Sequence, residues 1–174
     1  MSVAFVSPSP EQTEDFGVAL GLMLRPENVV LLTGDLGAGK TQFTKGIARG
    51  LGIEQDVTSP TFNLVLEYES ATGKRLRHFD LYRLERAAEL GDIDYFGLLE
   101  DDAISVVEWG DKFSQALPLD YLLISFEVCD SGATGTDGTV GAGSGTEQTR
   151  VLRCEAVGPR STRLLADFGE KFHG

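Results

Sequence analysis

Apolar residues recur at helical spacing in several parts of the chain. Three segments with this pattern are expected to form helices: 13–24, 40–51 and 161–172. Thr13 and Ser161 are the expected N-caps of the first and last helix, because a hydroxyl at that position accepts from a free backbone N–H. A further stretch, 85–100, has a broken helical pattern and is predicted to be helical with interruptions.

Short apolar runs predict buried strands over four segments: 29–33, 103–109, 121–128 and 150–157. Segment 62–69 alternates apolar and polar residues and is followed, after a short turn, by 74–80, so the two predict a β-hairpin. Acidic residues of its first strand are expected to face arginines of its second: Glu67 and Glu69 opposite Arg75 and Arg77.

The length of 174 residues fits one compact domain over 1–174. Hydrophobic and charged contents of 41% and 24% are close to globular averages. Residues 129–148 differ because they hold Gly, Ser and Thr with almost no apolar bulk, so we expect a flexible hairpin insertion. Their GAGSG sequence neither directly follows a strand nor opens a helix, which argues against a dinucleotide-binding loop.

The sequence lacks signals for a membrane or for secretion. No apolar run approaches the roughly 18 residues that a membrane helix needs. Residues 1–12 lack the basic region and the long apolar region of a signal peptide. Cys129 and Cys154 are expected to be reduced thiols, since no secretory feature accompanies them. We therefore expect a cytoplasmic protein.

The net charge of −12 argues against direct nucleic-acid binding, which relies on Lys and Arg to neutralise phosphates. Residues 85–112 are the most acidic part, with nine acidic and two basic residues and hence a net charge of −7. Two interpretations stay open for this segment. It is either a solvated helix face or a docking surface for a basic protein partner.

The segment 34–41, GDLGAGKT, matches the phosphate-binding pattern G-x-x-x-x-G-K-[ST]. Glycines let the backbone N–H groups turn inward around phosphate oxygens, Lys40 reaches the β and γ phosphates, and the Thr41 hydroxyl is a Mg²⁺ ligand. A predicted strand precedes the pattern and a predicted helix follows it, which is the expected context. The residues predicted to bind the nucleotide are Gly34, Asp35, Leu36, Gly37, Ala38, Gly39, Lys40, Thr41 and Gln42.

A phosphate-binding loop also needs an acid near Mg²⁺, and two carboxylates at predicted strand ends qualify. Glu108 ends the more apolar strand, so we favour it as the metal-side acid. Asp80 would then orient or deprotonate the attacking water, or it would hydrogen-bond to a metal ligand without binding the metal itself. A strand-end carboxylate that caps a helix is the alternative for each.

Two further features lie near these groups. The segment TSPTF, 58–62, could sense the γ-phosphate through Thr58, Ser59 or Thr61, or it could be a plain turn before a strand. Trp109, the only tryptophan, could stack on a partner, brace the site or simply be buried.

The nucleotide is expected to be ATP, because a guanine-specific N-K-x-D sequence is absent. A small-molecule kinase is an alternative function, although it would need an arginine-rich lid, and Arg83 and Arg86 are isolated in the sequence. A nucleotide-gated binding protein with negligible turnover is another alternative.

Four motifs in order resemble one known family: GDLGAGKT (34–41), SPTF (59–62), HFDLYRL (78–84) and VEWGD (107–111). The chain resembles the TsaE-type P-loop ATPases of bacterial tRNA threonylcarbamoyladenosine (t6A) biosynthesis over roughly residues 7–125. The resemblance implies an α/β P-loop NTPase-like three-layer fold with a mixed sheet that contains antiparallel strands.

The resemblance also implies ATP and Mg²⁺ as cofactors, weak intrinsic ATPase activity and two protein partners. Those partners are the threonylcarbamoyl transferase and its inactive-homologue partner, which modify adenosine 37 of tRNAs that read ANN codons. Hydrolysis would reset or regulate that complex rather than transfer the group, and contact with tRNA would be only indirect.

Residue roles follow from the matched motifs. Lys40, Asp80 and Glu108 are the implied catalytic residues, with Thr41 and Glu108 at the metal and Trp109 at a functionally important position. The segment near Glu11 and Thr13 and a basic residue of the last strand, Arg150, are implied to flank the nucleotide. The insertion at 129–148 departs from the compact family pattern.

Overall fold

The computed structural model describes residues 2–60, 62–129 and 148–173. Seven strands make up one sheet: β1 Ser2–Ser7, β2 Val29–Gly34, β3 Val65–Glu69, β4 Arg75–Asp80, β5 Ile104–Glu108, β6 Tyr121–Cys129 and β7 Thr149–Val157. The α-helices of this part of the chain are α1 Pro10–Gly21, α2 Lys40–Gly50, α3 Tyr95–Glu100 and α4 Pro159–His173. A 3₁₀ helix over Ala87–Ile93 precedes α3, so the prediction of interrupted helical structure is confirmed.

The sheet has the strand order β1-β7-β6-β2-β5-β4-β3. Strand β2 is central and runs parallel to β5 and β6, and β4 runs parallel to β5. The pairs β3–β4, β6–β7 and β1–β7 are antiparallel. The expected mixed sheet is therefore confirmed, and the carboxyl ends of β2, β4 and β5 meet at one edge.

Alternation along β2 shows that both faces of the sheet are covered. Val30 and Leu32 belong to an apolar core with residues of α1, α2 and α4, whereas Val29 and Leu31 belong to a core with residues of α3 and the 3₁₀ helix. Strands that are buried on both faces have continuous apolar sequences, and the run VVLLT predicted β2 for this reason. The fold is α/β with helices on both sides of the sheet.

Helices α1 and α2 cross at glycines rather than at large side chains. Gly17 and Gly21 of α1 lie against Gly46 and Gly50 of α2, and each pair is spaced one helical turn apart. A Cβ at any of the four would meet backbone of the other helix. The two backbones therefore approach as closely as small residues allow, and α1 is fixed to the helix that follows the phosphate loop.

Two predicted helix starts were wrong. Helix α1 begins at Pro10 with Ser9 as its N-cap, and Thr13 lies inside the helix, buried and bonded to the Ser7 hydroxyl. Helix α4 begins at Pro159, and Ser161 lies within its first turn. The Asp120 carboxylate caps this helix instead, since it accepts from the backbone N–H groups of Arg160 and Ser161 at 2.8 and 2.9 Å.

Strand β1 was not predicted at all. It pairs antiparallel with β7, and its inward residues are Phe5 and Ser7, so the expected apolar alternation is interrupted by a buried hydroxyl. Of the predicted insertion, 129–148, residues 130–147 lie outside the described residues. Its first residue, Cys129, was wrongly included, because it belongs to β6 and pairs with Thr149 of β7.

The hairpin of β3 and β4 has the predicted antiparallel register, with Glu67 opposite Arg77 and Glu69 opposite Arg75. The buried Arg77 guanidinium donates to Glu67 at 2.6 Å and to Asp101 at 2.5 Å. The hydrogen bond from Arg77 lowers the pKa of Asp101 to about 2. This ion pair joins the hairpin to the acidic segment, 85–112.

No helix in the described part of the chain is both long and apolar enough to span a lipid bilayer.

Candidate functional site

The loop between β2 and α2 has the backbone of a phosphate-binding loop. Gly34 and Gly39 have φ angles of +136° and +111°, which residues with a Cβ rarely adopt. A Cβ at Gly34 would also lie 2.7 Å from the Phe126 carbonyl oxygen on β6. The two glycines of the motif are therefore required by conformation, and at Gly34 by space as well.

Lys40, the first residue of α2, is buried and its side chain folds over the loop. Its Nζ donates to the carbonyl oxygens of Gly34 and Asp35 at 2.7 and 2.9 Å. Burial lowers the pKa of Lys40, and the carboxylates of Glu108 and Asp80 oppose that shift. An anion bound at the loop would therefore lie beside the Lys40 ammonium group, which is partly shielded from water.

Glu108 and Asp80 lie side by side, because β5 and β4 pair in parallel with these two residues in register. Both side chains are buried. Glu108 Oε1 lies 3.3 Å from the Thr41 hydroxyl, which donates to it, and 2.9 Å from His78 Nε2. The metal-side residues predicted from the sequence thus touch each other.

Asp80 has different partners. Its Oδ2 accepts from the Ser59 hydroxyl at 3.2 Å, and its Oδ1 accepts from the Tyr82 backbone N–H at 3.0 Å. Ser59 belongs to the TSPTF segment, so this segment is linked to one carboxylate and the phosphate loop to the other. The two acids are therefore held by separate groups.

Trp109 follows Glu108 in the left-handed region, with φ of +61°, which is uncommon for a residue with a large side chain. Its backbone N–H donates to the Leu32 carbonyl at 3.2 Å. The indole lies 4.6 Å from Lys40 Nζ and 5.1 Å from the Tyr82 ring, measured to the ring centroids. The ring thus lies beside two residues that line the cleft, Lys40 and Tyr82, and also packs against the apolar core.

These groups surround a cleft of about 290 Å³ at the carboxyl edge of the sheet. Its lining residues are Leu36, Gly37, Gly39, Lys40, Thr41, Gln42, Ser59, Asp80, Tyr82, Glu108 and Trp109. A larger hollow of about 410 Å³ lies at the opposite end of β2, beside Val29, Phe96 and Leu119, and no residue predicted for the site lines it. The cleft, which brings together the charged groups and the loop glycines, is the candidate site.

The remaining predicted residues have various positions. Arg150 lies behind the loop, where its Nε donates to the Ala38 carbonyl at 2.8 Å, and the Thr13 methyl group lies near Gly39. Glu11 is exposed in the first turn of α1, where hydrogen bonds from its own backbone N–H and from the Ser9 side chain lower its pKa.

Gln42 lines the cleft and donates to Glu14, which also pairs with Arg49. Thr58 is exposed and does not line the cleft, although its backbone N–H reaches the Tyr68 hydroxyl. Thr61 lies outside the described residues.

Sequence reasoning missed His78 and Tyr82. Both belong to the HFDLYRL motif, but no role was assigned to them. The period of two along β4 was an available signal, because it puts His78 on the same face as Asp80. The neighbouring strand was needed to show that this face meets Glu108.

The donor set fits Mg²⁺. The adjacent oxygen donors are the Thr41 hydroxyl and the Glu108 carboxylate, and Mg²⁺ prefers a few such oxygens together with phosphates and waters. Within the described residues no three His, Cys, Asp or Glu side chains are grouped to hold a metal by themselves. A metal that shares its ligands with a nucleotide needs no such group.

A central parallel strand, a loop with its lysine and threonine at the start of a helix, and two acids on the adjacent strands define an α/β protein of the P-loop type. Comparison with known proteins gives the family. The profile described as "Threonylcarbamoyl adenosine biosynthesis protein TsaE" matches residues 7–134, and the chain belongs to the TsaE family.

Several relatives named "tRNA threonylcarbamoyladenosine biosynthesis protein TsaE" are similar to this chain. One from Treponema pallidum is 39% identical over 127 residues, which cover 73% of this chain and 93% of the relative. One from Bacillus subtilis is 41% identical over 117 residues, covering 67% and 72%. The crystal structure of Bacillus subtilis YdiB superposes with a TM-score of 0.73 at 28% identity and covers 98% of this chain and 96% of that one.

Proposed function

We propose that this chain, as one P-loop domain, binds ATP with Mg²⁺ and hydrolyses it in support of t6A formation at adenosine 37 of tRNAs that read ANN codons. Hydrolysis resets or regulates a protein complex, and other subunits transfer the threonylcarbamoyl group. One observation carries the proposal: Lys40, Thr41, Asp80 and Glu108 converge on one cleft at the phosphate loop. Membership of the TsaE family supports the link to t6A.

Each group has a role that follows from its position. Lys40 and the N–H groups of the loop bind the phosphates, and Arg150 holds the loop from behind through Ala38. Thr41 and Glu108 would hold Mg²⁺, which when bound neutralises charge on the phosphates. The Trp109 ring covers Lys40 and keeps its side chain at the mouth of the loop.

Asp80 is the candidate for orienting or deprotonating the attacking water. Its carboxylate lines the same cleft, and its bonds to Ser59 and the Tyr82 N–H fix its orientation. A carboxylate within hydrogen-bond reach of a water can act as the general base. The link through Ser59 supports a role for the TSPTF segment in sensing the γ-phosphate.

The decisive experiment measures ATP hydrolysis by this chain alone and with the transferase, its inactive-homologue partner and tRNA, while t6A is quantified. We expect slow hydrolysis alone, faster hydrolysis in the complex, and repeated t6A turnover only when the chain is present. Equal t6A turnover without the chain would contradict the proposal. Phosphorylation of a supplied metabolite pool, rather than release of free phosphate, would indicate the kinase function instead.

We propose further that the protein works in the cytoplasm, contacts tRNA only indirectly, and docks on a basic partner surface through its acidic segment. Asp92, Glu100 and Asp102 of this segment are exposed, whereas Asp101 is paired with Arg77. Opposite charge on a partner would raise the association rate and favour one docking orientation.

Changing Asp92, Glu100 and Asp102 together to lysine is expected to weaken binding of the partner proteins about tenfold or more at low salt, because the attraction becomes repulsion. Calorimetric titration measures the affinity. The matched control places the same charge change on exposed acids elsewhere, Glu155, Asp167 and Glu170. Equal affinities for both triple variants would identify the acidic segment as a solvated face.

A further inference from the structure

His78 is a fully buried polar side chain beside the proposed metal ligands. It lies on β4 with an exposed fraction of 0% and is paired in register with Val106 of β5. Its neighbours two residues away on either side, Leu76 and Asp80, share its face of the sheet. The imidazole is therefore fixed inside the protein, next to the carboxylate of Glu108.

The hydrogen bonds of the ring define its tautomer. Nε2 lies 2.9 Å from Glu108 Oε1, and Nδ1 has no hydrogen-bond partner among the described residues. A carboxylate only accepts, so Nε2 carries the hydrogen and donates. A second hydrogen on Nδ1 would be buried without an acceptor, which favours the neutral ring with a bare Nδ1.

Glu108 Oε1 thus has two neighbouring donors from different elements. His78 approaches from β4 at 2.9 Å and Thr41 from the start of α2 at 3.3 Å. The shorter bond comes from the fully buried side chain of His78, while Thr41 and Glu108 are the proposed Mg²⁺ ligands. In known metal sites such supporting bonds orient a ligand, and losing them costs about 10–100-fold in metal affinity.

We propose that His78 is a positioning residue that holds the Glu108 carboxylate in the orientation required for Mg²⁺ beside Thr41. The inference rests on the proposed function, because it requires Mg²⁺-dependent nucleotide binding. His78 itself contacts neither metal nor nucleotide. Its effect is specific to the metal and leaves the phosphate contacts of Lys40 unchanged.

The test measures the Mg²⁺ concentration that half-saturates ATP binding, with the fluorescence of Trp109 as the signal, since it is the only tryptophan and lines the cleft. His78→Leu removes the donor and is expected to raise this concentration about tenfold. His78→Gln, whose amide can donate from about the position of Nε2, is expected to stay within about threefold of wild type. ATP affinity in the presence of EDTA is expected to be equal in all three.

Two controls separate positioning from general damage. Ser105→Ala changes another buried polar residue on β5, whose hydroxyl has no partner among the described residues and whose side chain points to the opposite face from Glu108. We expect its Mg²⁺ requirement to match wild type. In a Glu108→Gln background, His78→Leu is expected to add less than about twofold, because the two residues act through one contact.

Thermal unfolding of each variant shows whether it folds, and His78→Asn, whose amide is too short to reach Glu108, replaces His78→Leu if the leucine variant does not. An unchanged Mg²⁺ requirement in the folded variant overturns the inference, as does an equal rise in His78→Leu and His78→Gln. If wild-type protein shows no Mg²⁺-dependent ATP binding, the proposed function fails instead, so the two failures are distinguishable.

Discussion

Replacing Gly46 by alanine is expected to lower the free energy of unfolding by about 3 kcal/mol, at the upper end for overpacking of a tight contact. The new Cβ would overlap the Glu14 carbonyl oxygen on α1 and lie 2.9 Å from the Cα of Gly17. Both neighbours are backbone atoms, so no side chain can rotate away. The helices must separate instead, which breaks close contact along the whole crossing.

The measurement is the denaturant midpoint, followed by circular dichroism or by fluorescence. Gly91→Ala is the matched control, because Gly91 lies in the 3₁₀ helix with no atom within 4 Å of an added Cβ. We expect its midpoint to stay within the error of wild type or to rise slightly, since alanine restricts the unfolded chain. Equal midpoints for the two variants would show that the crossing of α1 and α2 tolerates a wider spacing.

Local signals explain why much of the fold was predictable from the sequence. The run VVLLT, the loop glycines and the apolar spacing of α2 each lie within about ten consecutive residues, and the structure has the strand, loop and helix in those places. The hairpin was predictable for the same reason, because its strands are joined by a short turn and carry complementary charges.

The wrong predictions concern residues whose partners are distant in the sequence. Asp120 caps α4 through bonds to residues 40 and 41 positions away, so Ser161 was the best local candidate although it is not the cap. Strand β1 is defined by its pairing with β7, and its buried Ser7 hides the alternation. The glycine pairs of α1 and α2 are visible in the sequence, but only the crossing shows why they are needed.

The site was predictable in its residues and not in its contacts. The motif names Lys40 and Thr41, and strand ends suggest Asp80 and Glu108, because parallel strands bring their carboxyl ends together. Which acid meets Thr41 depends on the register of β4 against β5 and on the position of α2, which no local pattern contains. Only the structure shows the partners of each acid. Glu108 is bonded to His78 and Thr41, and Asp80 is bonded to Ser59 and Tyr82.

These separate partners lead to the second large effect: Asp80→Asn is expected to lower kcat for ATP hydrolysis about 100-fold or more, in the range for loss of a general base. Asparagine keeps an oxygen for the Tyr82 N–H and a polar group for Ser59, so the local structure is expected to persist. The amide cannot take a proton from water. Because Asp80 hydrogen-bonds to Ser59 and the Tyr82 N–H, whereas Thr41 bonds to Glu108, ATP affinity and the Mg²⁺ requirement are expected to stay within about threefold.

Glu108→Gln is the matched variant, since it makes the same chemical change on the adjacent strand. It is expected to raise the Mg²⁺ requirement for ATP binding, because the amide loses the negative charge that the metal needs while its oxygen can still accept from His78. Lys40→Ala serves as the reference for lost nucleotide binding.

A raised Mg²⁺ requirement in Asp80→Asn, with none in Glu108→Gln, would reverse the roles of the two acids. Normal hydrolysis in Asp80→Asn would remove Asp80 from the reaction. If Asp80→Asn also supports t6A formation while Lys40→Ala does not, and neither wild type nor variant hydrolyses ATP at a measurable rate, the protein acts as a nucleotide-gated binding protein.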